Sequence, residues 1–488
     1  AEIMDFQLLL LEDDEFVGKM RENISKGQKI GKAVLEVVEN TKAMFESMDN
    51  PYMRERASDI VDLGYRILKN ALGLEELKFT NDSIVVSEEL TPSEVVGIAG
   101  RIRGIVTSRG NALSHFAIIA RELGIPTIVG VKDLLSNVKN GDIIALNGLS
   151  GQLIINPTEE ERKRFEEIKK QWDETIKEIL EKAKLEAKLK SGEKISVVAN
   201  LGRIEEAETA KYYGAEGVGL FRTEFFFLGR DTPPSEDEQF NGFKFVVNQL
   251  SPGSIFIRTL DIGSDKQIPY IPLPQEPNPA LGKRAIRLYD EELKEIIMHQ
   301  IKAIIRAAKY GNVGIMLPMV ADASEIIKSR ELIERAKKEL RDEGKEFGEP
   351  KIGIMIEIPS AALMADKLAS LVDFMSIGSN DLTQYTLAAD RAGIFTLDFF
   401  DHLHPAVLRL IKHTVEALEG TNVELSVCGE SASDIYAVPI LIGLGIRKLS
   451  SAPLIIPVIK HIIRQLDIQD LEKLAEEALN KKSPREVR

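Results

Sequence analysis

Leu371–Arg391 reads LVDFMSIGSNDLTQYTLAADR, and its first half decides the fold. An apolar run ends abruptly in Gly378, Ser379, Asn380 and Asp381, the pattern of a buried strand that delivers polar groups to the end of a sheet. A short loop carrying a carboxylate and an amide at that point suits a hard metal ion or a phosphate. One unit earlier, KIGIMIEIPS at Lys351–Ser360 repeats the design, with a strand over Ile352–Ile356 and then Glu357. Two carboxylates at the ends of neighbouring strands suit one Mg²⁺, an ion that takes oxygen ligands and commonly only one or two carboxylates. On spacing alone, the same pair reads equally as surface acids after core strands.

Outward from this stretch the pattern repeats. Strands are predicted over Ile195–Ala199, Gly217–Phe221, Ile255–Asp261, Gly314–Leu317, Ile352–Ile356, Phe374–Ile377, Glu424–Val427 and Ile446–Leu449. Helical patterns fill the gaps: Glu205–Tyr213, Glu236–Asn248, Glu291–Lys309, Ser324–Asp342, Ala361–Leu368, Ala406–Ala417, Ser433–Leu441 and Leu454–Leu479. Eight alternations predict a (β/α)₈ TIM barrel over 191–488, whose working face is the C-terminal end of its strands. An open doubly wound sheet is the alternative. The strand exits carry Asn200, Arg222, Arg258 with Asp261, Glu357, Asn380 with Asp381, and Cys428; Arg284 follows the third strand and Arg391 the sixth. Several arginines with a carboxylate pair suit an anionic, phosphorylated carboxylic acid, because planar guanidinium forks hold phosphate and carboxylate oxygens. Singly, each arginine reads as a surface ion pair. Cys428 before Gly429 and Glu430 reads as a proton donor, a nucleophile or a buried structural cysteine.

Upstream the character changes twice. Residues 77–157 form a compact α/β module: a strand in KFTNDSIVV, a short helix headed by Pro92, a strand at Ile105–Val106, a helix over Ser114–Leu123, a strand at Thr127–Val131 and a closing hairpin. His115 sits at its loop-to-helix junction beside unpaired helix amides, where a phosphate on the ring is favoured electrostatically. A capping or packing histidine fits the same position. Residues 1–76 read as helices with an acidic opening at Glu12, Asp13, Asp14 and Glu15 and too small a core of their own. Residues 158–190, rich in Glu, Lys and Arg, read as a long exposed helical linker.

At 488 residues the chain has room for two or three domains. Its formal charge of -14 opposes nonspecific nucleic-acid binding and favours a basic macromolecular partner. No uninterrupted apolar run approaches 18 residues, so no membrane span is expected; a single cysteine excludes a disulfide framework, and the cytoplasm is the expected compartment.

The stretches GAEGVGLFRTEFFFLGRDTPPSEDEQF, FIRTLDIGSDK, NPALGKRAIRL, GIMIEIPSAA, DFMSIGSNDLTQYTLAADR and VCGESASD resemble the phosphoenolpyruvate-utilising enzymes, and among them enzyme I of the bacterial sugar phosphotransferase system. The resemblance covers essentially the whole chain. It implies metal ligation by Glu357 and Asp381 for Mg²⁺, and substrate contacts from Arg222, Arg258, Arg284, Asn380 and Arg391. It further implies protonation of the enolpyruvate methylene carbon by Cys428, and acceptance of phosphate on Nε2 of His115, with Arg121 nearby. LLEDDEF, with Glu12, Asp13 and Asp14, resembles the helical subdomain that docks a small histidine-containing phosphocarrier protein. By the same resemblance 77–157 is a swivelling phosphohistidine domain, the protein is a homodimer through its barrels, and the partial helical subdomain lacks an N-terminal portion of about 70 residues. Two departures bear on His115. Its loop reads Gly110, Asn111, Ala112, Leu113, Ser114, His115, Phe116, where family members carry a hydroxyl at 113 and a small residue at 116, and Val95 replaces a threonine. Rival readings are a phosphoenolpyruvate synthase or pyruvate phosphate dikinase fragment, and a noncatalytic phosphoenolpyruvate-sensing scaffold.

Overall fold

The computed structural model describes residues 10–11, 13–46, 57–72, 83–110, 114–264, 268–271, 273, 276–289, 293–390 and 399–488. It divides into two compact units, 1–173 and 174–488.

The first unit begins with helices. Asp13 caps a π-helical turn, Asp14–Gly18, by accepting the Glu15 N–H, and the helices Lys19–Ser25, Ile30–Glu46 and Ala57–Ala71 follow. Their apolar stripes close a small core of Phe16, Met20, Val34, Val37, Val38, Phe45, Ile60 and Leu63. The α/β module comes next, with a three-stranded parallel sheet of β1 (Ser83–Ser87), β2 (Ile102–Thr107) and β3 (Thr127–Ile128). An antiparallel pair, β4 (Ile144–Asn147) and β5 (Gln152–Ile155), closes it as the sequence predicts. Helix Pro92–Ile98 starts on a reciprocal Thr91–Glu94 capping box with proline in the first turn. Val95 and Phe116 belong to the same buried cluster as Ile102, Ile105, Ala117, Ala120 and Ile125. Two of the three residues that depart from the resembled family thus serve as core, and Leu113 lies outside the described residues.

The second unit is a closed, all-parallel barrel of β6 (Ser196–Leu201), β7 (Val218–Phe221), β8 (Ile255–Arg258), β9 (Val313–Leu317), β10 (Lys351–Ile356), β11 (Phe374–Gly378), β12 (Glu424–Cys428) and β13 (Lys448–Ser451). β13 returns to pair with β6, Leu449 opposite Val197, so the open-sheet alternative is excluded. Inside, Phe256 and Phe374 stack at 3.8 Å between centroids. Gly353 leaves the room they need, since a β-carbon there would lie 2.5 Å from the Phe374 ring. Leu220, Met316, Met355 and Cys428 complete this layer.

Three sequence expectations are corrected. The linker helix is not continuous to 190: helix Glu159–Glu181 ends there, and Ala183, Ala187 and Leu189 are buried. The Lys460 ammonium, 1% exposed, takes the carbonyls of Ala183 (3.3 Å) and Gly214 (2.7 Å), and this tertiary anchoring overrides the helix propensity of KAKLEAKLK. Leu454–Leu479 is two helices, Ile456–Ile463 and Ile468–Leu479, the second capped by Asp467. Ser379, Asn380 and Asp381 are not a loop; they open helix Ser379–Leu387 directly from the end of β11.

Candidate active site

The exits of β7, β8, β10, β11 and β12 converge on one cavity of about 320 Å³, lined among others by Arg222, Arg258, Arg284, Glu357, Asn380, Asp381 and Cys428. A strand that passes straight into a helix fixes its last side chains more tightly than a loop would, and Asp381 in the first turn of Ser379–Leu387 is only 5% exposed. Glu357, the residue after β10, is fully buried. Its Oε1 accepts the Met319 N–H at 2.6 Å, a donor supplied by a residue held at φ 56°, unusual for a side chain of that size. Its Oε2 is buried without a hydrogen-bond partner, 3.0 Å from where a β-carbon on Gly378 would stand.

Around these acids lies a chain of ion pairs. Arg258, the last residue of β8, reaches Glu224 Oε1 through Nη2 at 2.7 Å and Asp261 Oδ2 through Nη1 at 3.0 Å, and its Nε is buried with no partner. Arg284 grips Asp261 with Nε and Nη2, at 2.7 and 2.9 Å, and extends Nη1 to Asp381 Oδ1 at 3.0 Å and to the Tyr385 hydroxyl at 3.2 Å. Burial works against both guanidinium charges, but Glu224 and Asp261 around Arg258, and Asp261 and Asp381 around Arg284, more than reverse it and raise their pKa values. Burial, then the charges of Asp381 and Asp261, push the Glu357 carboxyl up to about 8.

Arg258 pairs with Glu224 and Asp261, and Arg284 with Asp261 and Asp381, whereas Glu357 Oε2 is buried without a hydrogen-bond partner. A buried carboxylate oxygen left without a partner, in the same cavity as Asp381, fits a divalent cation. Among the described residues no group of three or more His, Cys, Asp or Glu is arranged to hold a metal, so substrate and water would complete the shell of an ion held by Glu357 and Asp381.

Asn380 faces the β12 exit, accepting the Glu430 N–H at 2.9 Å and donating to Glu430 Oε1 at 3.3 Å. The Cys428 thiol donates to the Ile377 carbonyl at 3.4 Å, and burial pushes its pKa up to about 11, so it holds its proton at neutral pH. A thiol in that state is a proton source rather than a standing thiolate. Arg222 lies at the exposed side of the cavity. Asn200 is committed to β13, bonded to Ser450. His115 begins helix His115–Glu122 in the first unit, with its side chain outside the described part. Arg391 and Glu12 lie outside the described residues, as does the Asp14 side chain; Asp13 is engaged as a cap. Sequence reasoning assigned no role to Glu224, Asp261, Tyr385 or the Met319 amide. The signal for the first two was acids within three residues of a strand-end arginine.

A (β/α)₈ barrel whose strand ends hold paired arginines and a cation-seeking carboxylate pair defines an enzyme of multiply anionic small molecules. The comparisons narrow this. Residues 177–468 match the PEP-utilising enzyme PEP-binding domain, 79–151 the mobile domain and 1–56 the N-terminal domain of that family. The phosphoenolpyruvate-protein phosphotransferase of Listeria innocua is 42% identical over 494 residues, covering 100% of this chain and 86% of the relative. Those of Staphylococcus carnosus and Haemophilus influenzae are each 38% identical, with the same coverage. The chain belongs to the PEP-utilising enzyme family.

Proposed function

We propose that the protein moves the phosphoryl group of phosphoenolpyruvate to His115 and then to a histidine on a small phosphocarrier protein, releasing pyruvate. The observation that carries this is the single cavity where Arg258, Arg284, Glu357, Asp381 and Cys428 meet, since it supplies guanidinium groups for the anion, a cation-seeking carboxylate pair and a protonated thiol. The names of the relatives favour this reading over the synthase, dikinase and scaffold alternatives.

Arg222, Arg258 and Arg391 hold phosphate and carboxylate oxygens, and Asn380 orients the substrate beside Asp381. Glu357 and Asp381 would hold Mg²⁺, which when bound would supply charge neutralisation for phosphoryl transfer. Neutral His115 attacks phosphorus through Nε2, forming the N–P bond as the bond from phosphorus to the enol oxygen breaks. The enolate carbon takes the Cys428 proton and becomes the methyl group of pyruvate; solvent restores the thiol. The carrier's histidine then displaces the phosphoryl group from His115, with Glu12, Asp13 and Asp14 as its docking contacts. The domain carrying His115 swivels between the two sites, and the protein works as a cytoplasmic homodimer through its barrels.

The test is incubation with phosphoenolpyruvate and Mg²⁺, with and without a histidine-bearing carrier, following pyruvate and acid-labile, base-stable phosphate on His115. Stoichiometric labelling, with turnover only when carrier is present, is expected. Absence of label despite phosphoenolpyruvate binding would overturn the assignment.

A further inference from the structure

Every nitrogen of Arg284 is engaged: Nε and Nη2 on Asp261, Nη1 on Asp381 and Tyr385. In this arrangement it is not a free clamp for substrate. Its two anchors differ in kind. Asp261, 2% exposed, is gripped side-on by two nitrogens and is shared with Arg258, which makes it the permanent anchor. Asp381 receives one nitrogen, and it is a residue that the cation would claim. The Tyr385 hydroxyl links this point to the segment bearing Arg284, because it also donates to the carbonyl of Ala280.

Resting on the reading of Glu357 and Asp381 as the metal ligands, we propose that Arg284 is an internal stand-in for the divalent cation. It neutralises Asp381 while the site is empty. When the ion takes Asp381, the guanidinium stays on Asp261 and turns Nη1 to an oxygen of the anionic substrate. Metal alone then binds weakly, since it displaces an ion pair and leaves a buried donor unpaired; substrate supplies the lost acceptor. Arg284 thereby makes metal and phosphoenolpyruvate binding interdependent, a coupling that is by thermodynamic necessity the same from either side.

The test is equilibrium binding of Mn²⁺, followed by its free electron-spin resonance signal, in a His115→Ala background with and without phosphoenolpyruvate. Arg284→Met is expected to bind Mn²⁺ alone at least threefold more tightly than its parent, while the tightening that phosphoenolpyruvate produces falls fivefold or more. Asp261→Asn, which removes the competing carboxylate charge and leaves Asp381 as the only carboxylate bonded to Arg284 among the described residues, is expected to bind Mn²⁺ alone more weakly. General damage to the site would weaken both variants. A long-range charge effect would shift the single affinities and leave the coupling as in the parent, and either result overturns the proposal. The metal assignment itself fails in a different way: Glu357→Gln and Asp381→Asn would leave Mn²⁺ binding unchanged.

Discussion

Cys428 donates its S–H to a backbone carbonyl inside an apolar layer, and a thiol so placed should be slow to react. Moving its pKa from 9.0 to about 11 lowers the thiolate fraction near pH 8 by about a hundredfold. Iodoacetamide labelling of the native protein, followed by mass spectrometry, should therefore lag that of the denatured chain by at least this factor; equal rates would remove the proton-donor argument. Glu357 makes the converse case, a buried carboxylate with one oxygen unsatisfied and like charges beside it. Glu357→Gln should lower kcat/KM for pyruvate release by about a thousandfold, roughly 4 kcal/mol of transition-state stabilisation, while the melting temperature of the metal-free protein stays level or rises. A parallel fall in both would make Glu357 structural. The residue types at these positions were legible in the sequence. Which of them touch was not: Arg284 meets Asp381 across 97 positions, a distance only the barrel's closure removes.

At the scale of elements, the site depends on how β12 leaves the sheet. Gly429 stands at φ 93°, and a β-carbon there would lie 2.4 Å from Ser379 Oγ and 2.8 Å from Asn380 Oδ1. Gly429→Ala is expected to cost about 1–3 kcal/mol in denaturant unfolding and to reduce turnover, because it pushes on the helix turn that carries Asn380 and Asp381. Farther along the same exit, Asp434 accepts from the His402 ring at 2.8 Å and from the Tyr436 N–H. Burial raises its pKa, but these bonds and the charges of His402 and Arg488 outweigh that and lower it below 3.8. A carboxyl depressed in the folded state contributes stability that is present above its unfolded pKa and lost as pH falls through the folded value. Asp434→Asn should thus melt below the parent at pH 7, with the difference closing as pH drops below about 4. Most element identities were legible, because apolar periodicity and caps are local signals. The end of the linker helix at Glu181 was not, because its cause, Lys460, is 277 residues from the carbonyl of Ala183.

At the scale of the molecule, two compact units with separate apolar clusters should unfold as two events in calorimetry. Adding Mg²⁺ with the inert product analogue oxalate should move the transition of 174–488 upward, by about 2.7 kcal/mol at a hundredfold excess over Kd, and leave that of the first unit in place. One transition shifting as a whole would show that the units unfold cooperatively. By itself the sequence determined the eight alternations, the family likeness and the polar residues at the strand ends, since each is written in contiguous stretches through period, capping and composition. Tertiary structure alone decided that β13 closes on β6, that Glu224 and Asp261 belong to the arginine cluster, and that Arg284 lies on Asp381. Those outcomes follow from packing and buried charge compensation among distant residues, where desolvation makes partner choice costly and no local pattern records it.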